Sequence, residues 1–259
     1  MNASTVFIAS PVGRLLALIL LLLFSGAAMA HVKWFVEFDV SDPPRALRSL
    51  FDYAYVPALM VLSFWGVAVA GFLDGLWYRW FGEFNWLRNR FDDVDVTSLN
   101  IVRIGTGVIC IVMWMMGGVI IAPELYSDAG FISWVHLLIA VAVLFRQTLL
   151  IAGVGLLTLY AYAVYVYGIF HLLDYVLMIG LGLFFIMSWP PVFRRFGKFR
   201  FPVLYFGVIF SFIWSAIEKI AFPFWFYPFL EEHSVLLMGM DRDFFITTAA
   251  FVEFTLFFL

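Results

Sequence analysis

The feature that most constrains this chain is a series of seven long apolar runs separated by short polar segments. Each run comes close to the roughly 20 residues that cross a bilayer as a helix. Only helices and closed barrels satisfy every backbone polar group in lipid, and these runs are continuous rather than alternating. The sequence therefore predicts an all-α fold, a polytopic transmembrane helical bundle with about seven spans. The runs cover residues 53–76, 101–122, 129–145, 148–167, 168–188, 202–222 and 243–259.

Composition supports this class and excludes others. Hydrophobic residues make up 64% of the chain and charged residues only 13%, whereas a soluble domain exposes much more charge. The formal net charge is −3 and the basic residues are scattered, which argues against a nucleic-acid partner. We expect the lipid bilayer to be the main environment of the protein.

An eighth hydrophobic stretch lies before these runs and indicates a signal peptide over residues 1–30. Arg14 precedes ten apolar residues, and Ala28 and Ala30 occupy the A-x-A positions that signal peptidase recognises. Cleavage there would make His31 the first residue of the mature protein. An uncleaved membrane anchor is the alternative.

The loops between the runs predict the orientation of the protein. If His31 lies outside, loops 77–100 and 189–201 lie in the cytoplasm, and they contain seven basic residues against four in the outer segments. The positive-inside rule thus agrees with cleavage and favours an outward N-terminus. The expected organisation is a signal peptide or anchor at 1–30, an exported segment at 31–52, a leading transmembrane helix and cytoplasmic loop at 53–100, and a helical bundle at 101–259. Because the chain stops inside an apolar run, we also consider a C-terminal continuation.

A motif of the form G-x6-W-x8-P occurs twice, beginning at Gly107 and at Gly207. Both copies predict a helix that runs outward and ends at the proline, which lacks a backbone N–H. The repetition indicates an internal duplication, with chance similarity as the alternative. Glu218 and Lys219 replace a glycine and a valine of the first copy, so only the second copy carries charge.

Charged residues within the predicted spans are candidates for function, because a charge at the centre of a membrane helix costs about 2.5 to 3.5 kcal/mol on insertion scales. Glu253 lies near the middle of the last run and, if unpaired, suits a proton relay or a hydrogen-bond donor. Glu218 lies nearer the outer surface. Lys219 either extends outward or forms a structural ion pair with Glu253 or Glu218.

Histidines form the second group of candidates. His171 and Asp174 are spaced i, i+3, so the carboxylate can orient the imidazole towards a proton, a quinone carbonyl or a metal. A polar pair that closes a turn near the headgroups is the alternative. His136 is alone on an apolar helix, where an interhelical hydrogen bond explains it better. Most of these polar residues fall in the predicted outer half, which indicates a polar pocket that opens outward.

Residues 215–259 begin SAIEKIAFPFWFYPFLEEHS and resemble the DoxX family of bacterial membrane proteins. In that family an A-x-E-K-x-x-x-P helix end, an outer acidic pair and an A-x-x-E helix recur. The stretches HLLDYVLMIGL and VRIGTGVICI are also similar to parts of that fold, so the resemblance covers residues 101–259. The positions that carry over are Glu218, Lys219, Pro223, Glu253, His171 and Asp174.

The resemblance implies a four-helix bundle core, here enlarged by further helices. It also implies a location in the bacterial inner membrane, with the outward N-terminus in the periplasm, and a relation to the membrane subunit of thiosulfate:quinone oxidoreductase. On this hypothesis His171 or Glu218 contacts a quinone carbonyl and Glu253 handles protons. The sequence has no haem, flavin or iron–sulfur signature, and Cys110 is its single cysteine. A partner redox subunit would therefore have to supply the electrons.

A non-catalytic membrane module for copper handling or complex assembly is the alternative function. After cleavage His31 would present its amine and its imidazole together, and this pair chelates Cu(II) well if His233 also approaches. Aromatic and basic residues after His31 favour the membrane interface instead.

Overall fold

The computed structural model describes residues 43–81 and 94–257. The predicted signal peptide, His31, most of the exported segment and the centre of the first cytoplasmic loop lie outside these residues. The described residues are almost entirely helical, with one isolated β-bridge between Val119 and Tyr126. The helices are α1 Leu47–Leu50, α2 Tyr55–Phe81, α3 Val94–Met116, α4 Phe131–Ala142, α5 Leu149–Tyr167, α6 Val176–Ser188, α7 Pro190–Phe196, α8 Arg200–Ala221, α9 Tyr227–Glu232 and α10 Arg242–Phe257.

The structure confirms the all-α prediction and places a helix on each of the seven apolar runs. Within the described residues, five segments are long and apolar enough to cross a membrane. Two further helices on predicted runs are shorter: α4 has 12 residues and α10 has 16. The five segments are Tyr55–Leu73, Ser98–Met116, Arg146–Tyr167, His171–Ser188 and Pro190–Ala221. The count of seven spans and the DoxX-like core remain predictions.

The long helices pack as neighbours in a continuous series. α3 packs on α4, α4 on α5, α5 on α6, α6 on α8, α8 on α10, and α10 on α2. The hydroxyl of Tyr53 donates to Asp243 at the start of α10, and the hydroxyls of Ser63 and Thr255 lie 2.7 Å apart further along. The two helices α2 and α10 therefore run in the same direction, although they come from opposite ends of the chain.

The connections gather at two ends of this helical assembly, which we name by their chemistry. The polar end contains residues 43–54, 117–130, 168–175 and 222–241. The basic end contains residues 143–148 and 189–199. At the polar end, Tyr167 donates to the carbonyl of Tyr126 at 2.7 Å, and the backbone N–H of Arg45 donates to the carbonyl of Ala221 at 2.6 Å. At the basic end, the indole of Trp189 donates to the carbonyl of Gln147 at 2.8 Å.

Glycines allow α6 to approach both of its neighbours closely. A Cβ atom added at Gly153 of α5 would lie 2.5 Å from the carbonyl oxygen of Gly182 on α6. On the other side, a Cβ atom on Gly180 would lie 3.1 Å from the Cα atom of Gly207 on α8. Close backbone approach of this kind drives the association of membrane helices through van der Waals packing.

The two copies of the G-x6-W-x8-P motif do not fold alike. In the second copy α8 ends at Ala221, next to the proline as predicted, and Pro223 begins a 3-10 helix. In the first copy α3 already ends at Met116, so the prediction that this helix continues to the proline is wrong. Gly117 and Gly118 follow with φ of 68° and 71°, a conformation that glycine adopts without strain and that ends the helix.

Large apolar side chains cover the outward faces of the long helices. Ile104 is 68% exposed, Trp134 67% and Phe64 70%. Exposed apolar surface of this extent is unfavourable in water and marks contact with a membrane or another protein. The described helices are thus compatible with a multi-pass membrane protein.

Candidate functional site

The centre of the candidate site is a buried charge cluster between α8 and α10. Lys219 donates from Nζ to Oε2 of Glu253 at 2.8 Å and to Oγ of Ser215 at 2.8 Å. The Ser215 hydroxyl is also 3.4 Å from the same carboxylate oxygen. The side chains of Lys219 and Glu253 are only 5% and 16% exposed. We call Ser215, Lys219 and Glu253 the charge cluster.

Helix geometry explains why these three side chains meet. Ser215 and Lys219 are four residues apart, so they lie on the same face of α8. Cα–Cβ bonds tilt towards the N-terminus of a helix. Since α8 runs towards the polar end and α10 runs away from it, Lys219 leans inward while Glu253 leans back towards the polar end. The ring of Phe226 lies beside the ammonium, with Nζ 5.3 Å from its centroid.

Glu218 is also buried but faces a different, aromatic environment. The indole N–H of Trp214, one turn earlier on α8, donates to Oε1 of Glu218 at 2.9 Å. The ring of Trp214 packs edge-on against Phe170, which also packs edge-on against Phe222. Phe222 in turn stacks on Trp225 at a centroid distance of 4.3 Å. This arrangement surrounds the end of α8 with four aromatic rings next to a carboxylate.

His171 and Asp174 lie in a 3-10 helix, His171–Tyr175, that precedes α6. Both side chains are buried. In a 3-10 helix residues i and i+3 eclipse each other, so the two share a face as predicted from their spacing. The ring of Tyr167 stacks on His171 at 5.9 Å. Phe170, next to His171 in the chain, connects this segment to the aromatic group near Glu218.

The structure thus places the predicted residues at the polar end in two neighbouring groups. Lys219 and Glu253 form an ion pair between α8 and α10. Glu218, His171 and Asp174 lie near the aromatic rings around Phe170. Because Glu253 is paired, the expectation for an unpaired carboxyl does not apply to it.

The predicted metal pair of His31 and His233 stays a prediction, because only His233 is among the described residues. His233 is exposed and stacks on Phe229 at a centroid distance of 4.7 Å. His31 lies outside the described residues. Within residues 43–81 and 94–257, no group of three or more histidine, cysteine, aspartate or glutamate side chains is placed to hold a metal ion.

A second polar network was not predicted from the sequence. The carboxylate of Asp243 accepts hydrogen bonds from Arg45 at 2.7 Å, from Tyr53 at 2.9 Å and from the hydroxyl of Tyr227. Arg45 also donates to the hydroxyl of Tyr227 at 3.2 Å. This network fastens the segment before α2 to the start of α10. The sequence signal is weak: Arg45 falls in the predicted exported segment and Asp243 is the first residue of the last apolar run.

The network shifts the pKa values of its members in opposite directions. Burial by itself raises the pKa of Asp243, but hydrogen bonds from Tyr227, Arg45 and Tyr53 together outweigh burial and hold it below its usual value. Burial, assisted by the hydrogen bond to Asp243, raises the pKa of Tyr227. Asp243 is therefore a charged acceptor at neutral pH and Tyr227 a neutral donor.

Comparison with known proteins gives no relative: no family model, curated protein or solved structure matches the chain. The resemblance to the DoxX family therefore rests on the short motifs quoted above.

Proposed function

We propose that this chain is a multi-pass protein of the bacterial inner membrane that binds a quinone at its polar end, as the membrane subunit of a redox complex. The observation that carries the proposal is the buried charge cluster of Ser215, Lys219 and Glu253 between two apolar helices. The N-terminus of the mature protein then lies in the periplasm and the basic end faces the cytoplasm.

The membrane location is supported by the apolar helix faces and by the distribution of charge. Residues 143–148 and 189–200 contain five basic residues and no acidic residue. The polar end contains acidic residues in each of its last three loops, such as Glu124, Asp174 and Glu231. By the positive-inside rule, this distribution supports a cytoplasmic location for the basic end.

Ligand binding is supported by the energetics of the charge cluster. A buried ion pair contributes little net stability, because the loss of hydration offsets the attraction between the charges. Ionisable residues within a membrane most often mark a ligand, ion or proton pathway. An ammonium group has three N–H donors, and among the described residues Ser215 and Glu253 occupy two of them. In this proposal the third donates to a ligand carbonyl.

A quinone fits this chemistry because it combines carbonyl acceptors with a flat, apolar ring. Lys219 supplies a donor for a carbonyl, and Phe226 lies 5.3 Å from the same ammonium. Reduction of a quinone to a quinol takes up two electrons and two protons. In this proposal Glu253 and Glu218 pass the protons, and a partner redox subunit supplies the electrons.

The experiment that tests the proposal is a measurement of quinone in the purified protein. The full chain is purified in a mild detergent, its lipids are extracted, and the ratio of quinone to phospholipid is compared with that of the bulk membrane. We expect enrichment in the wild type and loss of enrichment in Lys219→Met. Thr158→Val is the matched control, because Thr158 bonds only within its own helix, to the carbonyl of Val154.

A wild-type ratio equal to that of the bulk membrane would refute quinone binding. Glu253→Gln provides a second test if Lys219→Met does not yield a monodisperse protein. If the wild type carries no extra quinone and both variants lose stability, the charge cluster only locks α8 against α10. The protein would then be a non-catalytic module.

A further inference from the structure

The basic end carries a surface that the proposed quinone site does not use. Helix α7 and the 3-10 helix Gly197–Phe199 lie between α6 and α8 and pack against α6. Trp189 separates α6 from α7 with an extended backbone conformation. Its indole bond to the carbonyl of Gln147 holds this segment against the loop between α4 and α5.

Four exposed cationic side chains lie on this surface: Arg146, Arg194, Arg195 and Lys198. We call them the basic collar. The side chain of Arg195 lies over the ring of Phe196 at 5.2 Å, and that of Lys198 over the ring of Phe199 at 4.9 Å. Residues 143–148 and 189–200, which carry the collar, contain no acidic residue.

Apolar rings accompany these charges on the same short segment. Phe193, Phe196 and Phe199 are 42%, 40% and 46% exposed, and they alternate with the cations in the sequence FRRFGKFR. Half-exposed aromatic rings beside arginine and lysine are typical of segments that lie in the interface of a membrane. The segment also directly follows the candidate span His171–Ser188 and forms the start of the candidate span Pro190–Ala221, so we place it where the chain turns at the surface of the bilayer.

We propose that the basic collar binds the headgroups of anionic phospholipids in the adjoining leaflet. Arginine pairs with phosphate oxygens through parallel N–H donors, and a zwitterionic headgroup lacks the net negative charge that attracts the remaining cations. The phenylalanine rings favour a lipid over a soluble phosphate or a nucleic acid, since they enter the acyl region beneath the headgroups. The proposal is independent of quinone binding, which takes place at the other end of the protein.

The test measures lipid binding to the full chain in a neutral detergent. Phosphatidylglycerol or phosphatidylcholine is titrated into the protein, and the bound lipid is counted by native mass spectrometry. We expect the wild type to prefer phosphatidylglycerol, and the preference to weaken as salt rises. The double variant Arg194→Gln/Arg195→Gln should bind phosphatidylglycerol roughly 30-fold more weakly, given about 1 kcal/mol per basic residue near an anionic surface.

The double variant Arg48→Gln/Arg242→Gln is the matched control, because it removes two exposed cations from the polar end. We expect this control to bind phosphatidylglycerol as the wild type does. Equal affinity of the wild type for the two lipids would overturn the proposal, as would an equal loss in both double variants. Competition by soluble glycerol phosphate at the same concentration would show a phosphate site and would also overturn it.

Discussion

Removing either charge of the Lys219–Glu253 pair should destabilise the protein strongly. Lys219→Met keeps an unbranched apolar chain but leaves the carboxylate of Glu253 without its ammonium partner. Loss of one member of a buried ion pair costs about 3–5 kcal/mol. Because the side chain of Glu253 is 16% exposed, we expect the lower limit, about 3 kcal/mol. At roughly 2–4 °C per kcal/mol, the melting temperature should fall by about 6–12 °C.

A double-mutant cycle separates the pair from its surroundings. Glu253→Gln alone leaves a buried ammonium facing an amide, so we expect a loss similar to that of Lys219→Met. The double variant replaces both charges, so neither charge remains unpaired. It should lose about 3 kcal/mol or less in its free energy of unfolding, rather than the sum of about 6 kcal/mol, because contacting residues couple.

The free energies are measured by reversible denaturation in detergent micelles, followed by circular dichroism, for the wild type and the three variants. Thr158→Val again serves as the control for the purification and the micelle, with a change within about 1 kcal/mol because its hydroxyl only bonds back to its own helix. Additive losses in the double variant would refute the reasoning, since they would mean that the two side chains stabilise the protein independently.

Two further predictions concern backbone packing and pH. Gly153→Ala should lower the free energy of unfolding, measured by thermal denaturation, by about 1–3 kcal/mol, because its Cβ atom would overlap the carbonyl of Gly182. The control Gly105→Ala should be neutral or stabilising, because nothing lies within 4 Å of the added atom. Asp243 has a pKa below its unfolded value, so its contribution to stability is present above that unfolded value, about 3.9, and is lost as the pH falls through the folded pKa. Asp243→Asn should therefore melt at a lower temperature than the wild type at pH 7, and this difference in melting temperature should become smaller at the lowest pH. The control Asp128→Asn, at an exposed position, should melt at the same temperature as the wild type throughout. A difference for Asp243→Asn that stays constant from pH 7 to pH 3 would contradict the stabilising role of the Asp243 carboxylate.

The sequence predicted the helices well because the apolar runs act locally. Every run has a helix on it, since a continuous apolar segment in lipid must satisfy its own backbone hydrogen bonds. The ends of the helices were less predictable. The motif placed the end of α3 at Pro123, but two consecutive glycines with positive φ, Gly117 and Gly118, end it seven residues earlier. Glycine occurs within helices as well as at their ends, so the spacing of the motif alone could not show where α3 ends.

The pairing of charges was predictable only in part, because it depends on which helices become neighbours. The sequence offered Glu253 and Glu218 as alternative partners for Lys219 and left the choice between them open. At about 1.5 Å per residue, Glu253 lies about 16 Å below the start of α10, whereas Lys219 lies about 3 Å from the end of α8. The opposite tilts of side chains on antiparallel helices close this gap. That effect requires α8 and α10 to be adjacent, which no local pattern reveals.

The polar contacts of α10 share one effect, which is to hold this helix in its position. The main apolar core is built from α3, α4, α5, α6 and the loops that join them, and a second, smaller cluster around Trp225 includes Ile246 of α10. Helix α10 is held by polar groups along its length: Asp243 binds Arg45 and two tyrosines, Glu253 binds Lys219, and Thr255 contacts Ser63 of α2. In lipid, apolar contact alone gives little preference for one helix neighbour over another, so hydrogen bonds and small-residue packing must select it. The α5–α6–α8 contacts use glycine for this selection, and the α8–α10–α2 contacts use charge. The charge cluster therefore lies where the helices packed through glycine meet those packed through charge. A ligand that bound Lys219 there would directly change the contact between α8 and α10.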